Sequence, residues 1–378
     1  MGSSNLATGT PVLFINGSSS VSLFGRTTAE RLRRQFDRAG VSSVATPVGH
    51  DGPVIVVRAD AVLDQPLIPV LVNTPGLMLM GEDNAALAAC VQANDVAAVC
   101  ELLASGKAGL GLDARKPADL DVKFWKALRK RETPYAFTVN ETSKAATEWR
   151  MFMGTYKGAT DLITKHLWPV PAFHTTRWLA PRGVTPNMVT MVAAILTVLS
   201  FCLFWRGDFA AGLVAAWAMT FLDTVDGKLA RVTLTSSKWG DAFDHGIDLV
   251  HPPFWYVAWA LGLGASGLAL SPATFWWVIT AILGGYVVQR VMEGIAIAWL
   301  GLEIHIWREV DTLFRQVTAR RNPNLILLTL SVLIGQPDWG LIAVAAWTVI
   351  CLILHGLQLA QAASARRQGP LTSWMTVG

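Results

Sequence analysis

The sequence predicts an α-helical integral membrane domain of six transmembrane helices, preceded by a cytosolic α/β domain. Three observations predict it. Of the 378 residues, 52% are hydrophobic and only 15% charged, against about 25% charged in an average soluble domain. The deficit is uneven: up to about Arg182 basic and acidic residues occur throughout, and beyond it long apolar runs alternate with short charged patches. Lys and Arg also recur on alternate sides of those runs, as charge-dependent membrane topology requires. The boundaries that follow are residues 1–140 for the α/β domain, 141–183 for a linker and interfacial segment, 184–365 for the membrane domain, and 366–378 for a cytosolic tail.

In the first part, "TPVLFINGSSSVSLFGRTTAERLRRQFDRAGVSSV" begins as an apolar strand, passes a loop of small residues and enters a basic helix. "PVIVVRADAVLD" reads as another strand that ends in aspartates. A strand–loop–helix order of this kind predicts a Rossmann-like α/β unit. The N-terminus lacks the charged-then-apolar pattern of a secretory leader, so this domain is expected in the cytosol. The four cysteines, Cys90, Cys100, Cys202 and Cys351, show no C-x-x-C spacing and are read as free thiols, with neither a disulfide framework nor a zinc site. A net charge of +4 is too small to argue for a nucleic-acid partner.

The interfacial segment is "YKGATDLITKHLWPVPAFHTTRWLAPRG". Trp168 and Trp178, with Lys157, Lys165, His166, Arg177 and Arg182, suit a helix lying on an anionic membrane surface. A phosphate-binding role for those basic residues is a second reading. Six apolar segments follow, near 188–205, 209–227, 247–266, 273–300, 324–335 and 339–362. The fifth falls short of the roughly 20 residues a span needs. Arg177 and Arg182 precede the first; Lys228, Arg231 and Lys238 separate the second from the third; Arg308, Arg315, Arg320 and Arg321 precede the fifth; Arg366 and Arg367 follow the sixth. The opposite loops hold Arg206 alone, then none in "GASGLALSP" and none in "GQPDWG". This alternation predicts both termini on the cytosolic side, with the second-to-third connection facing the same way.

That connection contains the chemistry. "FLDTVDGKLARVTLTSSKWGDAFDHGIDLV", residues 221–250, holds five aspartates at the edge of a membrane, where carboxylates are costly. Asp223 and Asp226 share one helical face, and Asp244 and Asp248 share another on the next helix. The short turn between them makes the helices antiparallel neighbours. Four carboxylates converging there need compensation, and hard divalent cations, Mg²⁺ or Mn²⁺, supply it through oxygen ligands. A metal pair so held favours phosphate diester or anhydride chemistry. Arg231 suits a diphosphate, because guanidinium binds phosphate oxygens bidentately. Gly227, Ala230 and Gly240 are small residues that admit a bulky ligand to the backbone, and one carboxylate is available as a general base. Asp241 falls out of register and reads as a turn or helix-start residue. Lys228 and Lys238 read as topology markers, and His245 and His251 as packing or hydrogen-bonding residues. Paired acids in a membrane helix also serve proton or cation relays in transporters, which is the contrasting class.

The spacing D-x-x-D-G-x-x-A-R-x8-G-x-x-x-D-x-x-x-D, from Asp223 to Asp248, matches the signature of the CDP-alcohol phosphotransferase (phosphatidyltransferase) family without gap or substitution. The resemblance covers roughly residues 180–365, and the family's six-helix core agrees with the six segments. It implies that Asp223, Asp226 and Asp244 are metal ligands, and that Asp248 stands at the metal site as the base. It places Gly227, Ala230 and Arg231, with Asp223, Asp226 and Gly240, around the CDP group. "TPNMVT" resembles the family's Pro-Asn-x-x-Thr element, which puts Pro186, Asn187 and Thr190 on the nucleotide side. The implied reaction is attack of an alcohol hydroxyl on the phosphorus next to the alcohol portion of a CDP-alcohol, releasing CMP. CDP-diacylglycerol is the expected donor, and a polyol or polyol phosphate the acceptor. Two Mg²⁺ or Mn²⁺ ions, membrane lipids, a second copy of the chain and a bacterial cytoplasmic (inner) membrane location belong to the same expectation.

On the acceptor side, Arg290 and Glu293 lie inside the fourth apolar segment. They are either a buried ion pair holding two helices together or, with Arg320 and Arg321, part of an acceptor pocket. The first domain is similar to sugar-nucleotide-type nucleotidyltransferases, some of which are fused to this membrane domain and make its CDP-alcohol. That likeness implies Gly17 with Arg26 or Arg31 for a phosphate-binding loop and Asp60 for a metal. The loop "NGSSSVSLFGR" has serines where that family has glycines, and the usual downstream lysine is missing, so a degenerate, structural or regulatory domain is the favoured reading and a catalytic one the alternative.

Overall fold

In the computed structural model, residues 9–122 and 124–376 are described, except the side chains of Lys238, Trp239, Asp241, Asp244 and His245. One unit comprises the chain up to Tyr156 together with Arg177–Gly183 and Arg231–Leu234; the other comprises Lys157–Thr176, Val184–Ala230 and Thr235–Gly378.

The first unit is built on a six-stranded sheet ordered Ser43–Val44, Val12–Asn16, Val54–Arg58, Ala86–Val91, Leu77–Met80, Asp113–Arg115. Side chains alternate across a strand, and here both faces are covered. Leu13, Ile55 and Val57 pack with Leu32 and Phe36 of α1 (Thr28–Asp37) and with Leu67, Ile68 and Leu71 of α2 (Leu67–Asn73). Val12, Val54 and Val56 pack with Val96, Val99 and Leu103 of α3 (Val96–Ser105) on the other side. A strand buried on both faces reads as an unbroken apolar run, which is why "VIVVR" shows no polar alternation. The hydroxyl of Thr27 accepts from Glu30 N and starts α1; Gly106, at φ 70°, ends α3. A fourth helix, α4 (Lys144–Gly154), closes the unit.

A Rossmann-like arrangement requires parallel pairing. It holds between Val12–Asn16 and its two neighbours, whereas Ala86–Val91 runs antiparallel to both Val54–Arg58 and Leu77–Met80. Residues 81–85 are too few for a helical crossover, so Leu77–Met80 and Ala86–Val91 pair as a hairpin and the sheet is mixed.

The second unit is helical: α5 (Pro169–Leu179), whose last turn belongs with the first unit, then α6 (Pro186–Trp205), α7 (Phe209–Val232), α8 (Lys238–Ala265), α9 (Pro272–Ile295), α10 (Glu309–Phe314), α11 (Arg321–Leu333) and α12 (Pro337–Arg366). Each of the six apolar segments contains one helix of this set. Among the described residues, four helices are long and apolar enough to cross a membrane: Pro186–Trp205, Phe209–Val232, Pro272–Leu300 and Pro337–Arg366. α11 has 13 residues, about 20 Å of helix against a hydrocarbon thickness of about 30 Å. The protein is an integral membrane protein with an N-terminal α/β sheet domain.

Aromatic and small residues lock the helices together. Trp259 is fully buried; its indole N–H donates to the Pro337 carbonyl at 3.0 Å, and Phe204 and Phe209 pack on its ring. A Cβ on Gly262 would meet the Phe204 carbonyl oxygen at 1.8 Å, so glycine there sets how closely α8 approaches the end of α6. α8 continues through Pro252 and Pro253. Pro253 has no N–H for the Leu249 carbonyl four residues back, and the Tyr286 hydroxyl of α9 donates to that carbonyl at 2.8 Å instead.

Candidate functional site

The acidic residues sit where α7 ends and α8 begins, across the turn of residues 233–237. The Ser237 hydroxyl accepts from Gly240 N at 3.0 Å and starts α8. Asp223 and Asp226 lie near the end of α7, separated by three residues and therefore on one face. Asp248 follows on α8. The side chain of Asp244, and that of Asp241, lie outside the described residues.

Three carboxylates are held in distinct ways. Asp226 is 3% exposed; its Oδ2 accepts from the Thr190 hydroxyl at 2.6 Å, and its Oδ1 is buried without a hydrogen-bond partner among the described residues. Asp223 and Asp248 are joined by one guanidinium. Arg321, the first residue of α11, donates through Nη2 to Asp223 Oδ2 and through Nη1 to Asp248 Oδ1, each at 2.5 Å. The donor set suits a hard cation on two counts: an orphaned buried carboxylate oxygen, and a guanidinium already standing as cation between two further carboxylates. Asp223, Asp226 and Asp248, with Asp244 on the same helix as Asp248, are the residues that would hold it.

The Pro-Asn-x-x-Thr element reaches the same place. Pro186 opens α6 behind the cap Thr185. A Cβ on Gly240 would lie 3.0 Å from Asn187 Oδ1, so the small residue at the head of α8 receives Asn187. Thr190 holds an aspartate of the constellation itself, a positioning contact that the sequence element alone does not disclose. Gly227 and Ala230 are half-buried on α7. Arg231 stands on its last turn, a residue that groups with the first unit. Lys228, read from the sequence as a topology marker, is 3% exposed and so does not face solvent.

The three arginines expected on the acceptor side separate into two groups. Arg290 pairs with Glu293 at 3.0 Å, and Arg320 donates to Glu293 Oε1. His305 Nε2 lies 3.0 Å from the same oxygen, and the His355 ring packs 5.2 Å from that of His305. Glu293, His305 and His355 are close enough to share a cation, yet two guanidinium groups already neutralise the carboxylate, which opposes one. Arg321 belongs to the aspartates instead. Nothing in the spacing foretold this division, because Arg321 is 73 residues from Asp248 and His355 lies on the final long helix.

Beside the site, α6 and α8 line an open cavity of about 600 Å³, with Thr197, Val198, Phe201, Phe243, Gly246 and Phe254 among its walls. Its walls are almost wholly apolar.

In the first unit, Gly17 follows its strand at φ 85°, a left-handed turn that favours glycine. Arg26 pairs with Glu30, and Arg31 is buried, which lowers its guanidinium to about 10. Asp60 is held bidentately by Arg58 at 2.9 and 2.7 Å. Arg26 and Asp60 are thus engaged with neighbouring side chains, Arg31 is buried, and Gly17 is exposed.

A helical membrane protein with a carboxylate-rich helix junction is the class that fold and site define. Residues 183–317 match the family model described as CDP-alcohol phosphatidyltransferase. It is 32% identical over 112 residues to archaetidylinositol phosphate synthase of Pyrococcus horikoshii, covering 29% of this chain and 55% of that protein. It is 31% identical over 112 residues to phosphatidylinositol phosphate synthase of Streptomyces avermitilis, covering 29% and 44%. It is 36% identical over 115 residues to choline/ethanolaminephosphotransferase 1 of Arabidopsis thaliana, covering 27% and 28%. The chain thus spans about half the length, or less, of these curated relatives.

Proposed function

We propose that the second unit transfers a substituted phosphate group from a CDP-alcohol to the hydroxyl of an acceptor alcohol, releasing CMP, in phospholipid synthesis. The observation that carries this reading is the junction of α7 and α8. One guanidinium spans Asp223 and Asp248 while the buried Asp226 keeps an oxygen without a partner. Asp223, Asp226, Asp244 and Asp248 would hold divalent ions, Mg²⁺ or Mn²⁺, whose chemistry is to neutralise a diphosphate and the charge that develops on it.

The chain's own residues supply the rest. Asp248, the most exposed of Asp223, Asp226 and Asp248, accepts the proton of the acceptor hydroxyl as general base. Gly227, Ala230 and Gly240 leave room for the nucleotide, with Pro186 and Asn187 on the same side. Thr190 orients Asp226. Arg231 grips diphosphate oxygens.

CDP-diacylglycerol is the favoured donor, because the apolar cavity between α6 and α8 suits the hydrocarbon part of a lipid and offers a soluble alcohol almost no polar partner. A polyol phosphate such as inositol phosphate or glycerol phosphate is the favoured acceptor. The names of the two inositol phosphate synthase relatives support it; Arg290 and Arg320, which pair with Glu293, are the candidate acceptor-side cations. All six apolar helices would cross the bilayer of a bacterial inner membrane, α11 with help from its flanks, leaving the acidic site and both termini cytosolic. The first unit is read as a degenerate nucleotidyltransferase-like domain, since Asp60 is committed to Arg58.

CMP release by the purified full chain, measured over a panel of CDP-alcohols and acceptors with product mass, tests the proposal. A metal-requiring signal with CDP-diacylglycerol and a polyol phosphate is expected. CMP release with no donor in the panel would sink the reading.

A further inference from the structure

The sequence groups Arg321 with the acceptor arginines, but its guanidinium lies between two carboxylates of the candidate metal site. Both of its terminal nitrogens are used, one on Asp223 and one on Asp248, each at 2.5 Å. The side chain is largely buried, at 15% exposure. Two carboxylates brought this close cannot both stay ionised without a positive partner, and a two-pronged guanidinium is a strong one. Guanidinium also does not lose its proton in proteins, so raising the pH does not release it. What can displace it is another cation competing for the same oxygens.

We propose that the Arg321 guanidinium competes with divalent cations for Asp223 and Asp248, so that cation binding exchanges with it on those two carboxylates. This rests on the reading of those aspartates as metal ligands. The exchange sets the cation affinity of the site below what the carboxylates alone would give. It also keeps α7, α8 and α11 tied together when no ion is bound, since Arg321 is the first residue of α11.

The test is Mn²⁺ titration of the detergent-solubilised full chain without donor or acceptor, with free and bound ion read by electron paramagnetic resonance. Arg321→Gln is expected to lower the Kd about tenfold or more, equivalent to about 1.4 kcal/mol. Arg320→Gln removes the same charge from the neighbouring residue, whose partner is Glu293, and is expected to change the Kd less than about threefold. If Arg321→Gln does not tighten binding, or does so no more than Arg320→Gln, while Asp226→Asn still abolishes it, the exchange is overturned and the metal reading stands. If the wild-type chain binds no Mn²⁺, or Asp226→Asn leaves binding unchanged, the metal reading fails and takes the exchange with it. Should Arg321→Gln not yield folded protein, Arg321→Lys keeps the charge but cannot span both carboxylates. A tightening of about threefold is then expected, and an unchanged Kd overturns the proposal.

Discussion

The Thr190 hydroxyl donates to Asp226 Oδ2 across 2.6 Å, linking the start of α6 to the acidic end of α7. The contact is buried, and it leaves Asp226 Oδ1 as the oxygen without a partner among the described residues. A hydrogen bond to a charged group is worth about 1.5–3 kcal/mol. Thr190→Val keeps the shape and removes the donor. CMP release is expected to fall about tenfold to a hundredfold, and Thr190→Ser to retain most of it. Steady-state kinetics of the two variants check this.

Asp248 is the proposed base. Asp248→Asn keeps the size of the side chain and removes its basicity, so CMP release is expected to drop by about 10²–10⁴ at every pH where the protein is folded. Loss of an ion flux by this variant, with no CMP chemistry in the wild type, would favour a transporter instead.

Tyr286 supports the helix that carries Asp248. Its hydroxyl serves the Leu249 carbonyl that Pro253 leaves without a helical donor. Tyr286→Phe is expected to cost about 1 kcal/mol of stability. It lowers the thermal midpoint of the detergent-solubilised chain, with a smaller effect on CMP release than the loss of Thr190.

Asp64 makes the first unit sensitive to pH. Burial raises its carboxyl from the ordinary 3.8 to about 6, with Lys130 nearby opposing the shift. A folded-state pKa above the unfolded one means that the folded chain holds its proton longer. The stability from Asp64 is complete below pH 3.8 and is lost as pH rises through about 6. The difference amounts to about 2–3 kcal/mol. Thermal unfolding of Asp64→Asn, compared with wild type at pH 5 and pH 7.5, is expected to show a smaller drop between the two.

The first unit is expected to release no diphosphate when given CTP and an alcohol phosphate, because Asp60 is bound by Arg58. Diphosphate release that Asp60→Asn abolishes would restore the bifunctional reading.

The order of the second unit was legible because spans and charges obey short-range rules. Each apolar run contains a helix, and the two aspartate pairs lie near the α7–α8 turn where their i, i+3 and i, i+4 spacings put them. The sheet of the first unit was half legible. The apolar strand runs are local, whereas the antiparallel entry of Ala86–Val91 depends on a hairpin pairing that hydropathy does not encode. The acceptor arginines were legible as charges in or beside apolar segments and no further.

By itself, the sequence determined the membrane class and the residues at which cations and CDP are expected, because these follow from composition and from spacing within one or two helices. Only the tertiary structure decided what those residues hold. It gave Thr190 to Asp226, sent Arg320 to Glu293, and set Arg321 between Asp223 and Asp248. Those pairings join helices far apart in the chain. They depend on which buried charge finds which counter-charge, and burial is known only once the helices have packed.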